Sequence, residues 1–433
     1  MRSWTVCARD ARNPTEDERI VTFSCSGNNS LQSNTCSPRS MRIRRSAWRI
    51  LRILSGRAAA MAALSLGGVG LHATVAHAAS DDADGVAGVS LYGEIDAGIA
   101  YLHQPAGGAS WRASQGLIDG SYWGVRGSEP LNGDLRALFR LEHGFSSTDG
   151  SLINDHPMYV GLASERFGMV TLGRQYDGMY DFLAPFTLTG NSGGTAFAHP
   201  FDNDNANNSY LASNAIKYTS PEIGGVTFGG MYAFSNASAG MSRNRAYSVG
   251  ARFKAGDFQI GGAYLRVDGL GTTEGGAYDA QPLPLTPTMG NVVNYADASA
   301  RRQNTFGIGA SYTIGAFTSA LSYSRAVYTG VADASDGSPA ASIGFSNMEW
   351  NVSYQASTAL QLTAMVSYTH ASASSRWLTG GMQAIYTLSP RTNVYVQWVG
   401  QRASDGQLAV LNGFDPSNGR HQLLLATGVR HNF

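Results

Sequence analysis

The segment Leu423-Leu424-Leu425-Ala426-Thr427-Gly428-Val429-Arg430-His431-Asn432-Phe433 alternates between two kinds of side chain. Most positions on one face are apolar, namely Leu423, Leu425, Thr427, Val429 and Phe433, and those on the other are small or polar, namely Ala426, Gly428, Arg430 and Asn432. Successive side chains of a β-strand point to opposite faces, so the alternation predicts a strand with one apolar and one wet face. The final aromatic ring suits a membrane interface, where rings anchor strand ends.

The composition is consistent with a large all-β domain. The chain has 433 residues, of which 52 are glycine, and only 14% are charged. The three cysteines, Cys7, Cys25 and Cys36, all lie near the start, so no disulfide or cysteine metal site is predicted downstream. No stretch after Val75 reaches the roughly 18 apolar residues of a membrane helix. A membrane location would therefore require a closed barrel, in which every backbone polar group is paired.

The beginning of the chain carries a processing signal. Met41 precedes a run rich in arginine, the apolar stretch 58–75 follows, and Ala76-His77-Ala78 has the form of a cleavage site. We therefore predict three segments: a non-native upstream extension (1–40), a signal peptide (41–78) and the barrel (79–433). Residues 1–78 hold 11 basic and 4 acidic residues, which leaves 20 and 27 and a net charge of about −7 for the mature chain.

The rest of the chain predicts sixteen strands, an even number. They are joined alternately by tight turns and by long loops at 104–119, 177–208, 269–302, 329–344 and 403–419 that are rich in Gly, Asn, Asp, Ser and Pro. Short turns on one rim and long loops on the other are typical of antiparallel transmembrane β-barrels. The predicted strands are 88–103, 120–129, 133–147, 156–165, 168–176, 209–220, 225–236, 244–255, 257–268, 303–314, 316–328, 345–357, 359–371, 375–388, 391–402 and 420–433.

Alternation within the strands supports this fold but does not prove it. In 360–368, apolar Leu360, Leu362 and Val366 alternate with polar side chains. A soluble β-sandwich would alternate in the same way, with its polar face in bulk water. The signal peptide, the aromatic end and the even strand count favour the barrel. Five aromatic residues are predicted to form an interfacial girdle: Tyr101, Trp350, Tyr368, Tyr395 and Trp398.

Four stretches resemble a known family. SLYGEIDAGIAY (90–101), SYWGVRGSEPLNGDLRALFRLEHGF (121–145), MYVGLASERFGMVTLGRQYDGMYDFLAPF (158–186) and NAIKYTSPEIGGVTFGGMYAF (214–234) are similar to the general diffusion porins of Gram-negative bacteria. The resemblance covers roughly residues 88–433. It implies a sixteen-stranded homotrimeric barrel in the cell outer membrane, in contact with outer-membrane lipid. It also implies a third extracellular loop, here 177–208, that folds inward and narrows the pore.

Family members set basic residues of the barrel wall against acidic residues of that loop. The resemblance places Arg126 and Arg174 at basic wall positions, although alternation alone puts Arg174 on the outward face with Val170 and Leu172. Alternation puts Arg126, Arg140 and Glu142 on the lumen face, and Lys217 is predicted to be an ordinary lumen residue. Asp177 and Asp181 are the predicted acidic partners on the loop, whereas Asp202 and Asp204 are expected to face the vestibule or solvent.

Three departures from the family pattern alter the charge of the pore. Tyr122 and Leu211 stand where relatives carry arginine, and Glu94 stands where they carry a neutral or basic residue. Each departure removes positive charge or adds negative charge. The sequence therefore predicts weak cation preference or near neutrality, although many relatives prefer anions.

The residues predict no enzyme. Neither His143 nor His156 stands in a motif with a nucleophile, and glycine loops for phosphate and HExxH zinc motifs are absent from the sequence. DNDNANN (202–208) lacks the glycine and glutamate of a calcium loop, so neither a metal nor a cofactor is predicted. Basic residues are too sparse for nucleic acid. The predicted function is passive diffusion of ions and small hydrophilic solutes. The alternatives are a channel selective for oligosaccharides or organic acids, a non-conducting structural or adhesin barrel, and an outer-membrane hydrolase.

Overall fold

A computed structural model of the chain describes residues 88–104, 108–153, 156–236, 238, 240–270, 276–277, 298–333 and 342–433. Within them, eighteen strands form one antiparallel sheet, and β1 pairs with β18 so that the sheet closes into a barrel. The predicted extension 1–40, the signal peptide 41–78 and the predicted mature start at Ala79 lie outside the described residues, and they stay predictions.

The strands follow one another around the barrel in chain order, and a single loop carries most of the helical turns. That loop contains the helix α1 (Gly178–Phe182) and short turns at Ala184–Phe186, Thr189–Gly193, Thr195–Phe197 and Pro200–Asp202, and one more lies at Ser372–Ser374. The strands are β1 (Gly88–Gln104), β2 (Gly108–Gln115), β3 (Tyr122–Pro130), β4 (Leu135–Phe145), β5 (Leu152–Ile153), β6 (Met158–Ser164), β7 (Gly168–Gln175), β8 (Ala212–Thr219), β9 (Val226–Ala233), β10 (Ala246–Ala255), β11 (Phe258–Leu270), β12 (Ala298–Ile314), β13 (Phe317–Asp333), β14 (Ile343–Gln355), β15 (Leu360–Ala371), β16 (Arg376–Ser389), β17 (Thr392–Ala403) and β18 (His421–Asn432).

Sixteen of these strands correspond to the predicted ones and form the wall, so the predicted sixteen-stranded barrel is confirmed. The other two, β2 and β5, are local additions. One end of β1 pairs with β3 over residues 88–94, and the other end pairs with β2 over residues 97–104. The segment 104–119 was predicted to be a loop. Instead, its strand β2 runs back along β1. The part of β1 that extends beyond the end of β3 has backbone groups that β3 does not pair, and β2 pairs with them.

The two faces of the wall have opposite polarity, and the polar one is inside. Outward side chains such as Val160, Trp398 and Val429 are 57%, 41% and 48% exposed, whereas inward Glu349 and Gln397 are 0% exposed. An exposed apolar band around a polar interior is the reverse of a soluble sandwich and is what a lipid-facing barrel requires. Among the described residues, no helix is long and apolar enough to cross a membrane.

One predicted girdle residue points the other way. Tyr395 is only 2% exposed, and its hydroxyl donates a hydrogen bond to Asp96 Oδ1 at 2.5 Å across the barrel seam. The neighbouring Val396 and Trp398 are exposed, so alternation along β17 turns Tyr395 inward. The prediction that Tyr395 belongs to the outer girdle is therefore wrong, because it ignored its position relative to Trp398.

The seam where the barrel closes depends on a close approach at one glycine. Gly93 N–H donates to Phe433 O at 3.2 Å, and Phe433 N–H donates to Gly93 O at 3.0 Å. A Cβ atom at Gly93 would lie 2.5 Å from the Phe433 ring. Only glycine therefore lets β1 meet this ring, and the reciprocal bonds extend the β1–β18 pairing.

Candidate functional site

Loop 177–208 enters the barrel through a short capped helix. The Asp177 carboxylate accepts a hydrogen bond from Met179 N–H at 2.6 Å and one from Asn205 Nδ2 at 2.5 Å. Gly178 N–H donates to Ser248 Oγ of β10 at 2.9 Å. Burial raises the pKa of Asp177 to about 7, against the opposing effect of these hydrogen bonds. Asp177 is thus enclosed and shapes the loop entrance, which is not the pore-facing position expected from the sequence.

Glycines of the wall make room for apolar side chains of the loop. A Cβ at Gly309 would lie 2.4 Å from Phe186 Cβ, and one at Gly307 would lie 2.4 Å from Leu183 Cδ2. Phe186 and Leu183 are almost completely buried. The loop therefore lies directly against the inner wall of β12, in depressions that only glycine leaves open.

Polar side chains of the wall hold the backbone of the loop further along. Glu349 of β14 accepts a hydrogen bond from Leu188 N–H at 2.6 Å. Gln383 of β16 donates to Ser192 O at 2.6 Å, and Gln397 of β17 donates to Gly193 O at 2.8 Å. The loop thus follows the inner wall from β10 to β17. The lumen faces of β1, β3, β4 and β6 lie on the remaining side.

A buried charged cluster ties the returning half of the loop to the wall. His199 Nδ1 lies 2.8 Å from Asp204 Oδ2, and its Nε2 lies 3.4 Å from Glu349 Oε2. Ser324 donates a hydrogen bond to Asp204 as well. Burial alone would lower the pKa of His199, but the two carboxylates override it and raise the pKa to about 10. At neutral pH the cluster therefore holds an imidazolium between two carboxylates.

This cluster corrects the expectation that Asp202 and Asp204 face the vestibule or solvent. Both are about 1% exposed or less. Asp202 accepts hydrogen bonds from Asn207 N–H and Ser209 N–H, each at 2.9 Å, and so organises the Asn-rich turn. Among the described residues, no acidic or histidine side chains group together as a metal site.

The wall opposite the loop carries a cluster that we call the wall cluster, formed by Tyr92, Arg126, Arg140 and Glu142. Arg140 Nη2 lies 2.6 Å from Glu142 Oε1, and the Tyr92 hydroxyl donates to the same oxygen at 2.5 Å. The Arg126 guanidinium lies 4.8 Å from the centre of the Tyr92 ring. Arg126 and Arg140 are directly paired across β3 and β4. The structure thus brings together three of the residues that were predicted from alternation.

Tyr122 extends the wall cluster with aromatic surface. Its ring lies 4.8 Å from the His156 ring and 6.2 Å from the Tyr92 ring, centre to centre. Tyr122 pairs with Glu94 across β1 and β3, so it occupies a lumen position. The arginine expected there from the resemblance is replaced by a flat, uncharged side chain.

Asp181 and Lys217 form an ion pair between the loop and β8. Lys217 Nζ lies 2.5 Å from Asp181 Oδ2 and also donates to Tyr176 O at 3.1 Å. The rings of Tyr176 and Tyr180 lie 4.4 Å apart. Burial and the negative charges of Asp119 and Asp181 raise the pKa of Tyr180, whereas the positive charge of Arg140 lowers it. The ion pair therefore ties the first turn of the loop to β8.

Glu94 is buried and has a basic neighbour that the sequence did not reveal. It is 3% exposed, and its Oε1 lies 3.6 Å from Arg430 Nε on β18. Leu211, at the other departure from the family pattern, is 5% exposed and precedes β8. The low exposure shows that Leu211 is enclosed by protein and does not line open lumen.

The strand register places Arg174 on the outward face. Arg174 pairs with Met158, which shares a face with Val160 and Leu162, and these two side chains are 57% and 48% exposed. Arg174 Nη1 donates a hydrogen bond to Ser213 Oγ at 3.2 Å where the β7–β8 register shifts. Its pore role therefore rests on the resemblance alone.

We expect Arg174→Gln to leave the reversal potential in a salt gradient unchanged, because an outward guanidinium is separated from the lumen by the wall. The measurement is a planar-bilayer recording of the purified protein at low salt, where lumen charges are least screened. A shift toward cations would contradict the outward placement.

A closed barrel with a lipid-facing belt, a polar lumen and a long loop folded inside defines the porin class of outer-membrane proteins. The Gram-negative porin family model matches residues 58–406, and the chain belongs to this family. The protein is thus located in the outer membrane.

Individual relatives agree with this assignment. An outer membrane porin protein of Bordetella pertussis is 27% identical over 267 residues, covering 55% of this chain and 63% of that protein. Outer membrane porin protein 32 of Delftia acidovorans is 29% identical over 246 residues, covering 55% and 64%. The chain therefore matches slightly less than two thirds of these relatives. The anion-selective porin from Comamonas acidovorans shares the fold, with a TM-score of 0.66 and 19% identity over 80% of this chain and 99% of that one.

Proposed function

We propose that the protein is a passive diffusion channel for ions and small hydrophilic solutes. The observation that carries the proposal is the course of loop 177–208, which is joined to β8 by the ion pair of Asp181 and Lys217 and follows the inner wall from β10 to β17. A narrowing built from fixed charges and backbone selects solutes by size and sign without a catalytic step. Stepwise, ohmic conductance of the purified mature protein in planar bilayers is the expected result.

We further propose that its ion selectivity is close to neutral, which is one end of the range predicted from the sequence. Three acids near the narrowing have basic neighbours: Glu142 with Arg140 at 2.6 Å, Asp181 with Lys217 at 2.5 Å, and Glu94 with Arg430 at 3.6 Å. Each such pair contributes little net field at a distance. The expected excess of negative charge from Glu94 is therefore offset by Arg430.

Arg126 is the exception, since among the described residues it contacts the Tyr92 ring and forms no ion pair. We expect Arg126→Gln to shift the reversal potential toward cations, because it removes a positive charge that no neighbouring carboxylate offsets. The shift should grow as the salt concentration falls, since the Debye length increases from about 10 Å at 0.1 M to about 30 Å at 0.01 M.

The matched control for this measurement is Arg166→Gln. Arg166 lies in the exposed turn between β6 and β7, against the Phe167 ring, and is remote from the wall cluster. The substitution Arg166→Gln removes the same positive charge, but from the rim of the barrel. Equal shifts in both variants would show that overall charge, rather than the wall cluster, controls selectivity.

The same recordings separate the alternatives. A substrate-selective channel would show saturable block of the current by its oligosaccharide or organic acid. A structural or adhesin barrel would show no conductance at all. The Arg126 guanidinium, which lies against the Tyr92 ring, offers a partner for a carboxylate, and it makes organic acids the solutes to try first.

We propose a homotrimer as the assembly, from the family resemblance. The second outward loop, near 148–154, is a tight turn, in which Ser146 N–H donates to Ser151 O and Gly150 N–H to Ser146 O, each at 2.8 Å. Contacts between subunits would then lie mainly on the barrel walls. We expect a trimer that dissociates on mild heating; unheated protein that runs only as monomer on a mild gel would contradict the assembly.

A further inference from the structure

An arginine cluster lies on the outer surface of the barrel, where β10, β11 and β12 approach the rim of long loops. Tyr264 of β11 pairs with Val249 and with Phe306, which are 57% and 46% exposed on the lipid-facing side. Arg266 and Asp268 follow at steps of two along the same strand and therefore share that face.

The cluster is organised by a single carboxylate. Arg302 Nε lies 2.9 Å from Asp268 Oδ1, Arg266 Nη2 lies 3.2 Å from the same oxygen, and Arg245 Nε lies 3.1 Å from Oδ2. Three guanidinium groups thus surround one acid, which leaves two positive charges in excess. We call Arg245, Arg266, Arg302 and Asp268 the outer arginine cluster.

Aromatic rings lie directly below this cluster on the outer surface. The Tyr247 ring lies 6.2 Å from the Tyr264 ring, and the Arg266 guanidinium lies 5.8 Å from the centre of Tyr247. Such rings mark the interface between hydrocarbon and headgroups. The cluster therefore lies at the level of headgroups. One further outward arginine on the next strand adds to the basic surface, since Arg325 of β13 is exposed and pairs with Phe306 of β12.

The height of the cluster agrees with this placement. Arg302 stands twelve residues from the end of β12 at Ile314, next to a tight turn. At about 3.3 Å per residue and a tilt of about 40°, this is roughly 30 Å above that rim, beyond an apolar band about 25 Å tall. The tight turns mark the periplasmic rim, so the cluster is on the outer-leaflet side.

We propose that the outer arginine cluster binds the phosphate groups of an anionic lipid in the outer leaflet. Guanidinium groups bind phosphate oxygens in a planar, two-pronged geometry, and the cluster carries excess positive charge. A lipid is favoured over free phosphate because the site lies on the lipid-facing wall above an aromatic belt. Asp268 holds the three arginines in place through its ion pairs. In the absence of lipid, its negative charge also reduces the repulsion between the three guanidinium groups.

The test is native mass spectrometry of the detergent-purified protein, titrated with bis-phosphorylated lipid A and with the same lipid after dephosphorylation. The variant combines Arg245→Gln, Arg266→Gln and Arg302→Gln with Asp268→Asn, so that no carboxylate is left unpaired. The control combines Arg166→Gln, Lys254→Gln and Arg391→Gln, three exposed residues at the rim of tight turns. Unchanged single-channel conductance confirms that each protein is folded.

We expect the phosphorylated lipid to bind the wild type and the control equally, and to bind the variant at least about tenfold more weakly, since each surface basic residue favours anionic lipid by a factor of about five. Dephosphorylation should weaken binding to the wild type by a similar factor, and millimolar inorganic phosphate should not displace the lipid. The proposal is overturned if the variant binds the lipid as tightly as the wild type, or if dephosphorylation of the lipid does not weaken its binding. It is also overturned if inorganic phosphate displaces the lipid, or if the variant loses the association of its subunits while its lipid binding is unchanged.

Discussion

Gly309→Val is expected to lower the single-channel conductance and to make the current unstable. A side chain at this position cannot coexist with Phe186, whose Cβ would lie 2.4 Å from the new Cβ atom. Overpacking of this kind costs about 1–3 kcal/mol when the neighbours must absorb it. The wall is fixed by its backbone pairing to β11 and β13, so the loop moves instead, and it can only move toward the open lumen.

Two further variants make this result specific to the contact. Gly380→Val adds the same side chain to an outward position of β16, where the nearest atom to a new Cβ is 3.9 Å away, and it should leave the conductance unchanged. Combining Phe186→Ala with Gly309→Val should restore the conductance in part, because the smaller side chain leaves room for the new valine. If Gly309→Val conducts like the wild type, loop 177–208 does not define the narrowest part of the channel.

The wall of the barrel was predictable because its signal is local. Alternation with a period of two is written into each strand, and tight turns such as 315–316 mark where strands end. All sixteen wall strands were found in this way, with boundaries differing by a few residues. The strand β2 was missed because it pairs only with the part of β1 that extends beyond β3. That extension depends on the register between distant strands.

The lumen residues of the wall cluster were predictable for the same reason. Arg126, Arg140 and Glu142 follow from alternation within β3 and β4 alone. Their partners do not, because the Tyr92 hydroxyl that reaches Glu142 comes from a residue 50 positions away. Arg430 beside Glu94 was likewise hidden, since the two residues meet only when the last strand closes onto the first.

The interior of the loop was the least predictable part. Asp202 and Asp204 were predicted to face the vestibule or solvent because the stretch is rich in Asp and Asn. The partner of Asp204 in β13, Ser324, is 120 residues away, and the neighbouring Asn203 contacts Asn347 of β14, 144 residues away. Composition reports how polar a segment is but not what it contacts. A histidine close to two acids, as in 199–204, is the one local sign that this stretch contains a buried ion pair.

His199→Gln is expected to release the returning half of loop 177–208. The substitution leaves Asp204 and Glu349 buried without their shared counter-charge, and breaking a buried ion pair in this way costs about 3–5 kcal/mol. Labelling of a single cysteine introduced by Ala196→Cys, which is 1% exposed, reports the release. The predicted mature chain has no cysteine of its own, so only the introduced cysteine reacts with the label. At pH 7 we expect labelling to become at least about a hundredfold faster.

The pH dependence and a second substitution identify the cause. Because the pKa of His199 is raised from about 6.5 to about 10, its stabilising contribution is complete below about pH 6.5 and is lost as the pH rises through about 10. Labelling of the wild type should therefore accelerate between pH 9 and 10.5, whereas labelling of His199→Gln, corrected for the reactivity of the thiol, should not. Adding Glu349→Gln to His199→Gln should slow the labelling again, since one of the two uncompensated carboxylates is gone. If the double variant labels as fast as the single one, lost packing rather than lost charge releases the loop.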